Sequence, residues 1–210
     1  MRVSLRGVAR EGDLVLVALS GGPDSLALAA AAAFECPRAG MRAGAVIIDH
    51  QLQPGSAAQA ERAASQARGL GLDPVVVERV EVVDDGAGPE ASARAARYGA
   101  IDRIRESLGA TAVLLGHTLD DQAETVLLGL ARGSGGKSLH GMAAVNGPLV
   151  RPLLGIRRDE THQACADQGL DAWHDPQNDD EQFKRVRIRT TVMPMLEREL
   201  GPGIAQALAR

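Results

Sequence analysis

Cysteine is scarce in this chain of 210 residues: Cys36 and Cys165 lie far apart and form no CxxC pair. That spacing excludes a disulfide framework, a zinc ribbon or a cysteine-held iron–sulfur site, and it fits a reducing cytosol. Long hydrophobic runs are missing as well. The longest, Leu26 to Phe34, is mostly alanine and falls far below the ~20 residues of a membrane span. The first residues lack the charged lead and apolar core of a secretory signal. These absences predict a soluble, cytoplasmic protein with no membrane partner. Nor is there an excess of positive charge. With 23 Lys and Arg against 27 Asp and Glu, the net charge is −4, which does not advertise nucleic-acid binding.

What is present is an ordinary globular composition, 45% hydrophobic and 24% charged, at a length suited to one domain or one domain with a small appendage. The charge is unevenly spread. Residues 1–125 hold 12 Lys and Arg against 17 Asp and Glu, whereas residues 126–210 hold 11 against 10. Within the second part, "FKRVRIR" at 183–189 packs four cations into seven residues, and "IRR" at 156–158 adds two. Such a cluster is either a solvated helix face or a local phosphate contact, and charge alone leaves both open.

Four strand-then-helix units succeed one another. "DLVLVALS" (13–20) is a near-continuous apolar run, as a strand buried on both faces requires. The alanine-rich 25–34 stretch predicts a helix. Strands at 43–49, 74–80 and 112–117 alternate with helices over 56–67, from Pro89 onward, and over 120–132. Ser56 and Gln59 have capping-box spacing, and alanines 57, 60, 63, 64 and 67 stripe one helical face. This alternation predicts an α/β fold: a doubly wound parallel sheet with helices on both faces. A glycine-rich loop over 133–148, a short strand at 149–154, a helix near 158–168 and a basic, mostly helical extension complete the chain. The expected division is a nucleotide-binding domain over 1–148 and a C-terminal part of the catalytic region over 149–210. The chain is expected to continue naturally beyond Arg210.

In such sheets ligands bind at the carboxyl ends of strands. Three strand ends carry polar clusters here: Ser20 to Ser25, Asp49-His50, and His117 to Glu124. They are expected to converge on one crevice. "SGGPDS" (20–25) has a strand before it and a helix after it. Gly21 and Gly22 allow close backbone approach to an anion, and the helix start supplies free N–H groups. A carboxylate in that loop, Asp24, makes sense beside phosphate mainly with Mg²⁺ between them. A rival at 131–138, "ARGSGGKS", fits the phosphate-binding pattern at Gly136, Lys137 and Ser138 but has Ala131 at the first glycine position and a helix before it. It reads as a surface loop or a lid.

"SGGPDS" resembles the pyrophosphate-binding loop of the N-type ATP pyrophosphatases. "LLGHTLDDQAETVLLGLARGSG" (114–135) resembles the tRNA(Ile)-lysidine synthetases more specifically, as do "IDH" (48–50), "EASARAARY" (90–98), "RPLL" (151–154), "DPQN" (175–178) and "RVRIR…MPMLE" (185–197). Val186 and Gln177 depart from that family's pattern, and the tRNA-binding C-terminal domain typical of the family is expected to be absent from these 210 residues.

The resemblance implies a ligase with two steps at cytidine-34 of a tRNA(Ile) with a CAU anticodon. The base attacks the α-phosphorus of ATP and pyrophosphate leaves; L-lysine then displaces AMP. It implies ATP held by Ser20, Gly21, Gly22, Pro23, Asp24, Ser25, Asp49 and His50, and Mg²⁺ on Asp24 and Asp121. The catalytic set it implies is Asp24, Arg97, His117, Asp121, Glu124 and Arg189. A homodimer is compatible with it. On the residues alone, Asp120 and Asp121 also suit N-capping, and Glu124 suits the closing of a capping box. Two alternatives are a non-catalytic ATP-binding fragment and a related enzyme such as a 2-thiocytidine synthetase. The missing CxxC pairs argue against the latter. His140, His162 and His174 are expected at the surface, and Trp173 as a packing anchor.

Overall fold

The computed structural model describes residues 2–5, 7–51, 53, 55–81, 89–133 and 140–210. Residues 134–139, with Lys137 and Ser138 of the rival glycine-rich stretch, lie outside them. After a short helix α1 (Arg2–Leu5) come β1 (Leu14–Ala18), α2 (Pro23–Arg38), β2 (Arg42–Asp49), α3 (Ser56–Gly69), β3 (Val75–Arg79), α4 (Pro89–Ser107), β4 (Ala112–Leu114) and α5 (Leu119–Ala131). A hairpin of β5 (Val145–Asn146) and β6 (Leu149–Val150) leads to α6 (Arg158–Asp167) and a short 3₁₀ turn, Pro176–Asp179. The chain then forms α7 (Lys184–Arg187), a π-helical turn at Ile188–Val192, α8 (Met193–Leu200) and α9 (Ile204–Ala209).

The sheet has six strands in the order β3-β2-β1-β4-β6-β5. All neighbours are parallel except the edge pair β5–β6, so the sheet is mixed rather than purely parallel. Valines and leucines of β1 alternate between two cores. Val15 and Val17 face alanines of α2 and α3, while Leu14 and Leu16 face Ile101 and Ile104 of α4. The small alanine side chains let α2 and α3 lie close to the sheet, where Ala29, Ala32, Ala63, Ala64 and Ala67 are fully buried. β2 is equally close to its neighbour: a Cβ on Gly44 would sit 2.5 Å from Pro74 O and 2.9 Å from Leu16 Cδ2.

From β1 the chain winds outward through β2 to β3, then returns through α4 to place β4 on the other side of β1. The winding thus reverses between the adjacent strands β1 and β4, and in such sheets ligands bind beyond the strand ends at this switch point. The fourth strand is shorter than expected because residues 115–117 turn toward the start of α2. The expected capping box at Ser56 is replaced by Gly55, whose φ of 85° makes it the N-cap. The Ser56 hydroxyl instead serves Asp49, and Ala57 is exposed while the other four striped alanines are buried. The tail folds back so that α9 packs on α5. Among the described residues no helix is long and apolar enough to cross a membrane.

Candidate active site

The loop after β1 is held by its own serines. Ser25 Oγ donates to Gly22 O at 2.9 Å and accepts from Ser20 N at 3.2 Å, and the two hydroxyls are 3.1 Å apart. Gly21, at φ 85°, makes the turn, and its carbonyl accepts from Trp173 N at 2.9 Å. Pro23 opens α2 with Gly22 as an N-cap that makes no side-chain hydrogen bond, which leaves the first turn's N–H groups for an anion. The loop after β4 rests directly on this start. A Cβ on Gly116 would lie 3.2 Å from both Cα and N of Ser25 and 3.3 Å from Asp24 C. Trp173 is therefore more than a packing anchor, since its backbone ties a distant segment to the 20–25 loop. Its side chain lines a groove of about 240 Å³ with Pro23, His162 and Cys165.

Asp49 and His50 end β2. Asp49 is buried, and its carboxylate accepts from Gln51 N at 3.0 Å and pairs with Arg79 at 3.6 Å. Burial alone would raise its pKa, but Ser56, Gln51 and Arg79 together hold it below the ordinary value. It braces the strand end. His50 is half-buried, and its Nδ1 is buried without a hydrogen-bond partner among the described residues.

The loop after β4 ends in a capping box. Thr118 is the N-cap of α5: its hydroxyl accepts from Asp121 N at 3.3 Å, and Asp121 Oδ2 accepts from Thr118 N at 2.8 Å. The box is thus closed by Asp121, not by Glu124. Asp120 binds elsewhere, accepting from Arg158 N at 2.7 Å and pairing with Arg157 at 3.1 Å. Glu124 lies one turn further along α5, 2% exposed. Arg189 reaches it from the π-helical turn with Nε at 2.8 Å from Oε1 and Nη2 at 3.1 Å from Oε2.

Arg158 is the residue that the linear pattern does not reveal. Its Nη2 lies 2.8 Å from Asp121 Oδ1 and 3.1 Å from Glu124 Oε1, and its Nε is 3.9 Å from Asp24 Oδ2. One turn later Thr161 donates its hydroxyl to Asp24 Oδ1, and His162 Nε2 is 3.9 Å from the same oxygen. Arg185 adds a hydrogen bond to Thr125 Oγ1 at 3.0 Å and an ion pair to Glu124 at 3.8 Å. Burial would raise the pKa of Asp121, but Arg158, the Thr118 hydrogen bonds and His117 hold it down. Asp24 remains above its ordinary value because burial outweighs Thr161 and Arg158. In the sequence, Arg158 stands only in a charged pair, and nothing there marks the first residue of α6 as facing inward.

The crevice has a cationic side too. Arg97 on α4 is half-buried, its pKa lowered first by burial, and it stacks with Tyr98 at 5.4 Å. No acidic partner offsets it among the described residues. His117 is held neutral, its pKa pushed down to about 4 by burial and by the charges of Arg151, Arg97 and Arg94, against an opposing pull from Asp121. Its Nδ1 is unpartnered, as is Nε of Arg151, itself 8% exposed. Buried donors and acceptors without partners are rare, and two of these, on His50 and His117, follow the carboxyl ends of β2 and β4. An anionic, hydrogen-bonding ligand would satisfy them.

The donor set bears on Mg²⁺. No cluster of three or more His, Cys, Asp or Glu suited to a metal exists among the described residues. Mg²⁺ bound to nucleotides needs only one or two carboxylates, with phosphates and water completing its shell. Asp24 fits that role, on the phosphate loop with only a 3.9 Å ion pair on its Oδ2. Asp121 has both oxygens taken, by Thr118 and Arg158. Of the other expected residues, His140, His162 and His174 are exposed.

The basic cluster divides: Arg185 and Arg189 face Glu124, whereas Lys184 and Arg187 are exposed. Arg187 donates to the carbonyls of Glu181 and Gln182 in the preceding turn.

The family model described as "PP-loop domain" matches residues 4–196. Among curated proteins, a tRNA(Ile)-lysidine synthase of Leifsonia xyli subsp. xyli is 63% identical over 199 residues, covering 95% of this chain and 60% of the relative. One of Thermobifida fusca is 54% identical over 214 residues, covering 100% and 65%. One of Streptomyces coelicolor is 56% identical over 200 residues, covering 94% and 56%. The chain thus spans about three fifths of the length of these relatives. Among solved structures, the U34-tRNA thiolase NcsA from Methanococcus maripaludis, with its 4Fe-4S cluster, superimposes with a TM-score of 0.79 at 17% identity, covering 100% of this chain and 75% of that one. That likeness concerns the fold.

Proposed function

The chain belongs to the PP-loop family, and on that premise we propose that it carries the catalytic region of a tRNA(Ile)-lysidine synthase. The observation that carries the reading is the meeting, around one switch-point crevice, of a phosphate loop and a buried carboxylate pair, Asp121 and Glu124, joined through Arg158. The curated relatives named tRNA(Ile)-lysidine synthase support it.

In this reading the 20–25 loop and the first turn of α2 hold the β- and γ-phosphates of ATP. They stabilise pyrophosphate as its charge grows on leaving. Bound Mg²⁺, held through Asp24, would neutralise phosphate charge. Arg97 faces the α-phosphate, where its half-buried cation finds an anion. His50 and Asp49 frame the nucleotide at the end of β2. The cytosine C2 oxygen of cytidine-34 in a CAU anticodon attacks the α-phosphorus. His117, neutral in the free protein, offers an unpaired ring nitrogen to the activated base. The lysine ε-ammonium, with an ordinary pKa of ~10.4, must be anchored and deprotonated before it attacks C2 and expels AMP. In this reading Asp121 and Glu124 take that role, supported by the grip of Arg189 on both oxygens of Glu124.

The 2-thiocytidine synthetase alternative gains no support from the cysteines, since Cys36 and Cys165 are both buried and on different elements. The test is incubation of α-labelled ATP with lysine and the CAU-anticodon tRNA transcript. AMP formation requiring both substrates is the expected result. Tight ATP binding without turnover would identify a nucleotide-binding piece that needs the remaining two fifths of its relatives' length.

A further inference from the structure

One nitrogen of Arg158 bridges two carboxylates: Nη2 is 2.8 Å from Asp121 Oδ1 and 3.1 Å from Glu124 Oε1. That is the place a primary ammonium would take between the same oxygens. Neither carboxylate depends on Arg158 for its position. Arg189 grips both oxygens of Glu124, and Thr118 holds Oδ2 of Asp121 through backbone and hydroxyl. The Arg158 backbone is anchored independently, its N–H donating to Asp120 at 2.7 Å. Its side chain is therefore the movable part. On its other side, Nε lies 3.9 Å from Asp24 of the phosphate loop.

We infer that Arg158 is a positioning residue that occupies the amine subsite until nucleotide fills the phosphate loop, and so orders binding with nucleotide before amine. This rests on the reading that Asp121 and Glu124 receive the lysine ammonium. Phosphates bound at the start of α2 place several negative charges beside Asp24, within a short swing of the guanidinium. A guanidinium pairs with phosphate through two parallel hydrogen bonds, so it regains there the contacts it gives up at the carboxylates. The vacated oxygens then accept an ammonium. Without nucleotide, an incoming amine competes with a tethered cation already at high effective concentration. The coupling is reciprocal: each ligand tightens the other by the same factor.

Calorimetric titration of lysine into this chain, with and without saturating α,β-methylene ATP, tests the inference. The expected result is at least about 10-fold tighter lysine binding with the analogue, and analogue binding tightened equally by lysine. In Arg158→Met, lysine binds the free protein more tightly and the dependence on analogue falls below about 2-fold. Arg158→Lys, which keeps a cation at the position, restores it. Equal lysine affinity in the unmodified chain with and without analogue overturns the inference, whatever the variants do. Full dependence persisting in Arg158→Met, with unchanged analogue affinity and thermal midpoint, overturns it as well. Failure of lysine to bind any form, even with analogue and tRNA together, overturns the amine-subsite reading itself and the inference with it.

Discussion

Arg189 holds Glu124 by both arms of its guanidinium across 65 positions of sequence, at 2.8 and 3.1 Å. A carboxylate that is 2% exposed is thereby fixed in direction at the centre of the candidate site. Its neutral isostere keeps the shape and loses the charge. Glu124→Gln is expected to form adenylated tRNA and to accumulate it, with transfer to lysine slowed about 100-fold or more. Single-turnover assays with α-labelled ATP resolve the two steps. Equal loss in both would move Glu124 to the nucleotide.

Asp24→Asn retains an acceptor for the Thr161 hydroxyl and removes the charge facing the phosphates. Pyrophosphate release should fall about 100-fold or more, with the thermal midpoint little changed. Unchanged release at saturating Mg²⁺ would remove Asp24 from the phosphate site.

His117 sets a pH dependence. Its pKa drops from an ordinary 6.5 to about 4 on folding, so the unfolded chain binds its proton first. The stability it contributes is complete above pH 6.5 and is lost as pH falls toward about 4, a difference on the order of 3 kcal/mol. Urea midpoints of the native chain should decline across that window, and His117→Gln should flatten the decline. Parallel curves for the two proteins would mean that His117 remains protonatable in the fold.

Gly116→Ala presses a methyl group against the Asp24–Ser25 backbone at 3.2 Å. Overpacking there is expected to cost about 1–3 kcal/mol, with the strain passed into the phosphate loop. ATP affinity should drop about 10-fold, more than for an alanine placed at Gly155, where a Cβ meets nothing. Equal ATP affinity in the two variants would show that the loop tolerates the shift.

The outward half of the basic cluster is the better candidate for tRNA contact. Each phosphate contact adds about 0.7–0.9 to the slope of log K against log salt. Lys184→Ala with Arg187→Ala should flatten the tRNA slope by roughly one to two units and leave ATP binding unchanged. A slope identical to that of the unsubstituted chain would mean both are solvated.

The sheet is legible in the sequence because β1 is apolar throughout and each strand precedes a helix-forming run. The strand-to-helix corner at 20–25 is legible because its residues are contiguous. Arg158 and Arg185 are not, since charge in a line gives no direction. They turn inward only because α6 packs on α2 and the tail folds over α5. The sequence marks a strand at 149–154, of which only Leu149–Val150 forms one. Its antiparallel partner Val145–Asn146 leaves no mark because two residues are too short for any periodic pattern. At the start of α3 the glycine at Gly55 prevails over a serine at capping-box spacing, since left-handed backbone there suits glycine.

The widened turn at Ile188–Val192 sits just ahead of Pro194, which has no N–H to give to the carbonyl four residues back. Such a turn accommodates one extra residue within an otherwise continuous helix. Removing a single codon from this stretch would restore ordinary winding and rotate α8 by roughly 100° relative to α7. Either Arg189 would swing away from Glu124, or the helix from Met193 to Leu200 would lose its seat. Many single substitutions in this stretch leave its register intact, whereas a one-residue deletion does not, so length is under tighter constraint here than identity.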